Sequence, residues 1–125
     1  VEFHFVAKQV KSLIIPIYGC EVLVSFNAKA LSKYLLVNHS VEQEISQANA
    51  GMASIYEHDS GHRFYSLFVD RDCFSVGVLA HECVHCAWDI LNDRGIAIDP
   101  DNHEALTYLV GWLAEEVNKF YSTGK

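Results

Sequence analysis

Proline is nearly absent from this chain of 125 residues, at two, and glycine is modest at seven. That scarcity excludes a collagen-like repeat and a proline-rich disordered segment. Basic charge is short as well: nine Lys and Arg stand against sixteen Asp and Glu, a formal net charge of −7. A surface so acidic offers no phosphate-binding footprint, which argues against a nucleic-acid binder. No apolar run approaches the roughly 20 residues of a membrane-spanning helix, so no membrane partner is expected. No charged stretch followed by an apolar one opens the chain, so no leader is expected either. Val1 is read as the mark of a removed initiator methionine or tag. Repeats and low-complexity tracts are missing too.

What the chain has is apolar residues, 50% of the total, enough for one core and for a single domain over 1–125. It also has seven histidines, three of them (His81, His85 and His103) within one short stretch. The four cysteines are Cys20, Cys73, Cys83 and Cys86. Cys83 and Cys86 lie one turn apart on a predicted helix, where a bridge would constrain little. All four are expected reduced, in a cytosolic setting, although an even count leaves a disulfide open.

Val1 to Val10 fits a short strand or a helix. Ile14 to Ile17 and Glu21 to Phe26 are rich in β-branched and aromatic residues around Gly19, and predict a strand pair or one interrupted strand. Asn27 reads as the N-cap of a helix over Ala28 to Val37. Ser40 to Ala50 is polar, with Ser40 and Gln43 at capping-box spacing, and reads as helical. Met52 to Glu57 and His62 to Val69 flank His58-Asp59-Ser60-Gly61, a β-hairpin signature. A long helix follows from about Cys73 or Ser75 to Arg94, stopped by Gly95. Asp99-Pro100 then reads as an N-cap and first helical residue of a second long helix reaching about Tyr121. The expected fold is α+β: a small sheet with a β-hairpin edge strand, packed on two long consecutive helices.

His81-Glu82-Cys83-Val84-His85 is an H-E-x-x-H motif. Histidines at i and i+4 share one helical face, so both rings can reach one metal ion. Glu82 is offset around the helix, placed to take a proton from an activated water rather than to ligate. Zinc suits that chemistry, one ion per chain, because it lowers the pKa of its water and polarises a carbonyl. From Val76 to Leu91 the helix is otherwise almost wholly apolar, and His81, Glu82, His85 and Asp89 form one stripe. That pattern predicts a buried helix whose single polar stripe faces solvent or a cleft.

A catalytic zinc takes three protein ligands. The third is expected in Asp99 to Ala105, where His103 and Glu104 compete; adjacent helical residues point about 100° apart, so only one should reach the ion. Glu104 follows His85 after eighteen intervening residues. H-E-x-x-H, that interval and then Glu resembles the gluzincin zinc metallopeptidases, the thermolysin-like class. The Glu104-Ala105 pair opening the next helix is similar to the compact ImmA/IrrE-type peptidases. The resemblance implies His81, His85 and Glu104 as ligands, Glu82 as general base, and a substrate-pairing edge strand at Arg63 to Val69. It covers His81 to Glu104 closely. The chain departs from the family in lacking a second lobe and a full Asn-Glu-x-x-Ser-Asp signature: Asn102 is displaced by one, and Thr107 stands three positions after Glu104.

Supporting residues form a shortlist. Asp89 is the candidate partner of His85. Tyr108, one turn after Glu104, is the first candidate for stabilising an oxyanion, with His62 and Tyr65 as alternatives. Gly111 continues the Glu104–Tyr108 face and is read as letting the two long helices approach. Trp88, Trp112, Cys83 and Cys86 are read as core. The expected activity is peptide-bond hydrolysis on a peptide or protein substrate. The alternatives are a non-catalytic interaction module or a zinc hydrolase of a non-peptide amide.

Overall fold

Two of the most apolar strand segments lie side by side at the centre of a four-stranded sheet. The computed structural model describes residues 9–46 and 49–123. In it β2 (Glu21–Ser25) and β4 (Arg63–Val69) pair in parallel, from Val22 opposite Tyr65 to Ser25 opposite Phe68. β1 (Val10–Ile14) pairs antiparallel outside β2, and β3 (Gly51–Glu57) antiparallel outside β4, giving the order β1-β2-β4-β3. Side chains alternate across the sheet, as strand geometry dictates. Val22, Val24, Tyr65, Leu67 and Val69 enter one core; Leu23, Phe64 and Phe68 enter the other.

Each core is closed by helix. α1 (Ala28–His39) covers the Phe64 face, burying Leu31 and Leu35. Its N-cap is Asn27, whose side chain accepts from the Ala30 N–H at 2.9 Å. α2 (Val76–Asp93) and α3 (Glu104–Thr123) cover the Tyr65 face with Cys83, Cys86, Ala87, Ile90, Leu109, Leu113 and Val117. The α+β class and the two long consecutive helices are as the sequence predicts. Among the described residues no helix is long and apolar enough to cross a membrane. All four cysteines are free, and Cys20, Cys83 and Cys86 are buried.

Several local expectations are corrected. The first strand is Val10–Ile14 rather than Ile14 to Ile17. Pro16 and Ile17, the latter at φ +70°, turn the chain back through Gly19, also at φ +70°. Of the Val1 to Val10 segment, residues 1–8 lie outside the described residues. Ser40 to Ser46 is not helical: Ser40 adopts a left-handed conformation and terminates α1, its N–H bonding to the Leu36 carbonyl at 3.2 Å. The rest of that predicted helix is irregular or outside the described residues. The second long helix starts at Glu104, because Asp99 caps a turn instead. Its carboxylate accepts from the Asp101 N–H at 2.9 Å, and its backbone bridges to Asn102. β4 is interior, flanked by β2 and β3, so the sheet edge beside α2 is β3 and not Arg63 to Val69.

Candidate metal centre

α2 is fixed at both ends by its own sequence. The Ser75 hydroxyl accepts from the Val78 N–H at 3.1 Å, and Gly95 at φ +73° ends the helix, its N–H bonding to the Asn92 carbonyl at 3.0 Å. Position 73 falls outside, in a 3-10 turn at Arg71–Cys73 capped by Asp70. Near its C-terminus the helix is tied to β4: the Tyr65 hydroxyl donates to Asp93 Oδ2, and Arg63 Nη1 donates to Asp93 Oδ1 at 2.7 Å. The Tyr65 hydroxyl is thereby engaged in a part-buried bond with α2 rather than turned toward the histidine pair. Burial, followed by that carboxylate, pushes its phenol well above the ordinary value near 10.

Helix geometry brings His81 and His85 together as expected. Their Nε2 atoms lie 3.2 Å apart, with ring centroids at 4.8 Å and planes inclined by 71°. Two imidazoles sharing one tetrahedral zinc at 2.0–2.1 Å hold their nitrogens about 3.3 Å apart. The separation of the pair matches that of two imidazole ligands on one ion. Both rings are exposed.

Glu82 departs from the predicted stripe. It is 8% exposed and turned toward the sheet, with Oε2 4.0 Å from His81 Nε2. What admits it is Gly51, the first residue of β3. A Cβ there would stand 2.7 Å from Glu82 Cγ, 3.0 Å from its Oε2 and 3.0 Å from the Phe68 carbonyl oxygen. Gly51 was not singled out by the sequence, and no local signal marks it, because the contact joins positions far apart in the chain. Asn49, Ala50, Gly51, Gly77, Val78, His81 and Glu82 line an open depression of about 440 Å³.

The outer side of α2 is also less polar than its pattern suggests. Val76, Val84 and Trp88 are exposed along with the histidines, Trp88 at 47%. Trp88 is thus surface rather than core, while Trp112 packs partly buried against the core. Gly111 has nothing within 4 Å of where a Cβ would be, so it does not mediate close helix approach. Cys83 and Cys86 are core as expected; burial, with the neighbouring Glu82 charge, pushes the Cys83 thiol up to about 12. Burial and the nearby Asp93 push the Asp89 carboxyl up, and His85 draws it back down, which puts Asp89 within electrostatic reach of that ring.

Glu104 lies exposed in the first turn of α3, and His103 just precedes it, its carbonyl accepting from the Thr107 N–H at 3.1 Å. Among the described residues no three His, Cys, Asp or Glu side chains gather into a group that could hold an ion. The structure thus assembles His81, Glu82 and His85 and leaves both third-ligand candidates apart. Tyr108, 77% exposed, lines a separate apolar depression with Pro16, Ile17, Tyr18 and Trp112. His62 sits at the far hairpin turn, stacked on His58.

No family profile, curated protein or solved structure matches this chain.

Proposed function

We propose that this protein is a small zinc-dependent metallopeptidase. The observation that carries this reading is Glu82: a carboxylate seated in the notch at Gly51, beside a histidine pair at ligand spacing. A carboxylate on the inner side of an apolar helix is costly to bury, and a proton-transfer role gives a reason to keep it there. His81 and His85 would hold the ion, with Glu104 as the proposed third ligand and His103 as its rival. A zinc ion held there would supply Lewis acidity to the attacking water and to the carbonyl under attack.

Glu82 takes the proton of the attacking water and returns it to the leaving amine. Packing against Gly51 restricts the Glu82 side chain, so the base is held in place before substrate arrives. An extended peptide substrate pairs along the outer edge of β3, which begins at Gly51 and has no strand partner beyond it among the described residues.

A second reading, a binding module without turnover, draws on the exposed Val76, Val84 and Trp88 around the histidines. Zinc content and peptide-library turnover of the wild type, Glu82→Gln, Glu104→Gln and His103→Gln separate the two. The peptidase reading expects one zinc per chain at this site and a loss of about 10²–10⁴-fold in turnover for Glu82→Gln with zinc retained. It also expects zinc to loosen in Glu104→Gln and not in His103→Gln. Equal turnover by wild type and Glu82→Gln, or none by either, rejects catalysis and leaves the module.

A further inference from the structure

On the opposite face of the sheet, under α1, three more histidines gather at the tip of the β3–β4 hairpin. His39 comes from the last turn of α1, and His58 and His62 bracket the hairpin turn. His39 Nδ1 lies 3.4 Å from His58 Nε2. Both rings stack on Phe64, at centroid distances of 4.3 and 4.8 Å. The ring of His62 lies parallel to that of His58, 5.8 Å away and inclined by only 13°. The turn itself is pinned: the His58 N–H bonds to the His62 carbonyl at 2.8 Å, and Gly61, at φ +86°, donates to the His58 carbonyl at 2.8 Å.

The His39–His58 separation again matches the roughly 3.3 Å between two imidazole nitrogens on one tetrahedral ion. Here the donors come from different elements, a helix end and a hairpin tip, rather than from successive turns of one helix. Phe64 beneath both rings fixes their planes. We propose that His39, His58 and His62 form a second metal site, for a divalent ion that prefers imidazole, such as Zn²⁺. His39 and His58 already stand at ligand spacing; as the rings lie the three do not close into a ligand set, and His62 would join by rotating its exposed side chain off the stack. Binding there clamps the hairpin tip to the end of α1. This site is independent of α2 and does not rest on the peptidase reading.

The test counts zinc on the untagged full chain after equilibration with Zn²⁺ and removal of the excess, alongside thermal melts with and without Zn²⁺. Four proteins suffice: wild type, His81→Ala/His85→Ala, His58→Gln/His62→Gln, and the variant carrying all four changes. The α2 double variant is expected to retain one ion and a zinc-dependent rise in Tm, and the fourfold variant to lose both. His58 and His62 lie at the hairpin turn, so the zinc-free melt of the hairpin variant should match that of the wild type. Absence of zinc on the α2 double variant overturns the proposal, and so does zinc that persists undiminished in the fourfold variant. A failure of the α2 site shows instead as a wild type and an α2 variant with equal zinc.

Discussion

Gly51 and Glu82 are packed so closely that the glycine's missing side chain is the space the carboxylate occupies, with Cγ 2.7 Å from where a Cβ would be. A strand edge and a helix interior meet there without any atom to spare. The contact joins the start of β3 to the glutamate of the H-E-x-x-H motif, and it converts a solvent-facing position into a buried one.

Gly51→Ala is therefore expected to displace Glu82 while leaving His81 and His85 in place. The added methyl also presses on the Phe68 backbone, which cannot swing away, so a cost of about 1–3 kcal/mol is expected in chemical denaturation. If Glu82 is the base, turnover should fall by about 10²-fold with zinc content unchanged. Unaltered turnover with the stability cost present would detach Glu82 from the chemistry.

Gly111→Ala should act in the opposite direction. The glycine lies in the body of α3, exposed, with open space at its Cβ position. Replacing it removes a helix-interior glycine penalty of about 0.5–1 kcal/mol, and a higher Tm is the expected outcome. A decrease would mean that the space beside α3 is needed for something.

Alkaline stability should depend on Tyr65. Burial and the Asp93 carboxylate hold its phenol protonated above the ordinary value near 10, while the unfolded chain releases that proton near 10. The folded state then binds more protons than the unfolded one, so stability falls as pH rises past about 10. Tyr65→Phe should make that decline shallower. At neutral pH it should cost about 1.5–3 kcal/mol, the range for a hydrogen bond to a charged group. Denaturant midpoints at neutral and alkaline pH measure both effects.

Thiol accessibility gives a direct check on the core. Cys20, Cys83 and Cys86 are buried and Cys73 is exposed. A thiol reagent should modify Cys73 alone in the native protein and all four cysteines after denaturation. Rapid modification of Cys83 would mean that α2 is not seated on the sheet as described. Cys83→Ala should leave zinc binding intact.

Local chemistry was largely legible in the sequence. Asn27 caps the helix it was expected to cap, α2 starts beside Ser75, one of its two expected starts, Gly95 ends α2, and the His58–Gly61 turn joins two strands within a residue of their predicted bounds. Histidines four apart face the same way because helix geometry leaves no alternative. What escaped depends on partners distant in the chain. β4 reads as an edge strand until its parallel pairing with β2 is known. Asp99-Pro100 carries a helix-start signature that the Asn102 side chain defeats by donating back to the Ala97 carbonyl at 2.6 Å. Periodicity also placed Glu82 with the histidines, since it cannot register a notch in another element. The same pattern overestimated how much of α2 is covered: Val84 and Trp88 are apolar yet face outward.

The inner side of α2 has a consequence for how this molecule can vary and fluctuate. Cys83, Cys86, Ala87, Ile90 and Leu91 are each at most 1% exposed, so the helix carrying His81 and His85 is part of the last structure to open. Amide hydrogens in the middle of α2 should exchange only when the whole chain unfolds, and the backbone positions of His81 and His85 share that rigidity. Variation in the surface around the histidines is then confined to Asn49, Ala50 and the outer edge of β3, while Gly51 stays fixed by its contact with Glu82. Residues can change there without touching the scaffold on which the histidines stand.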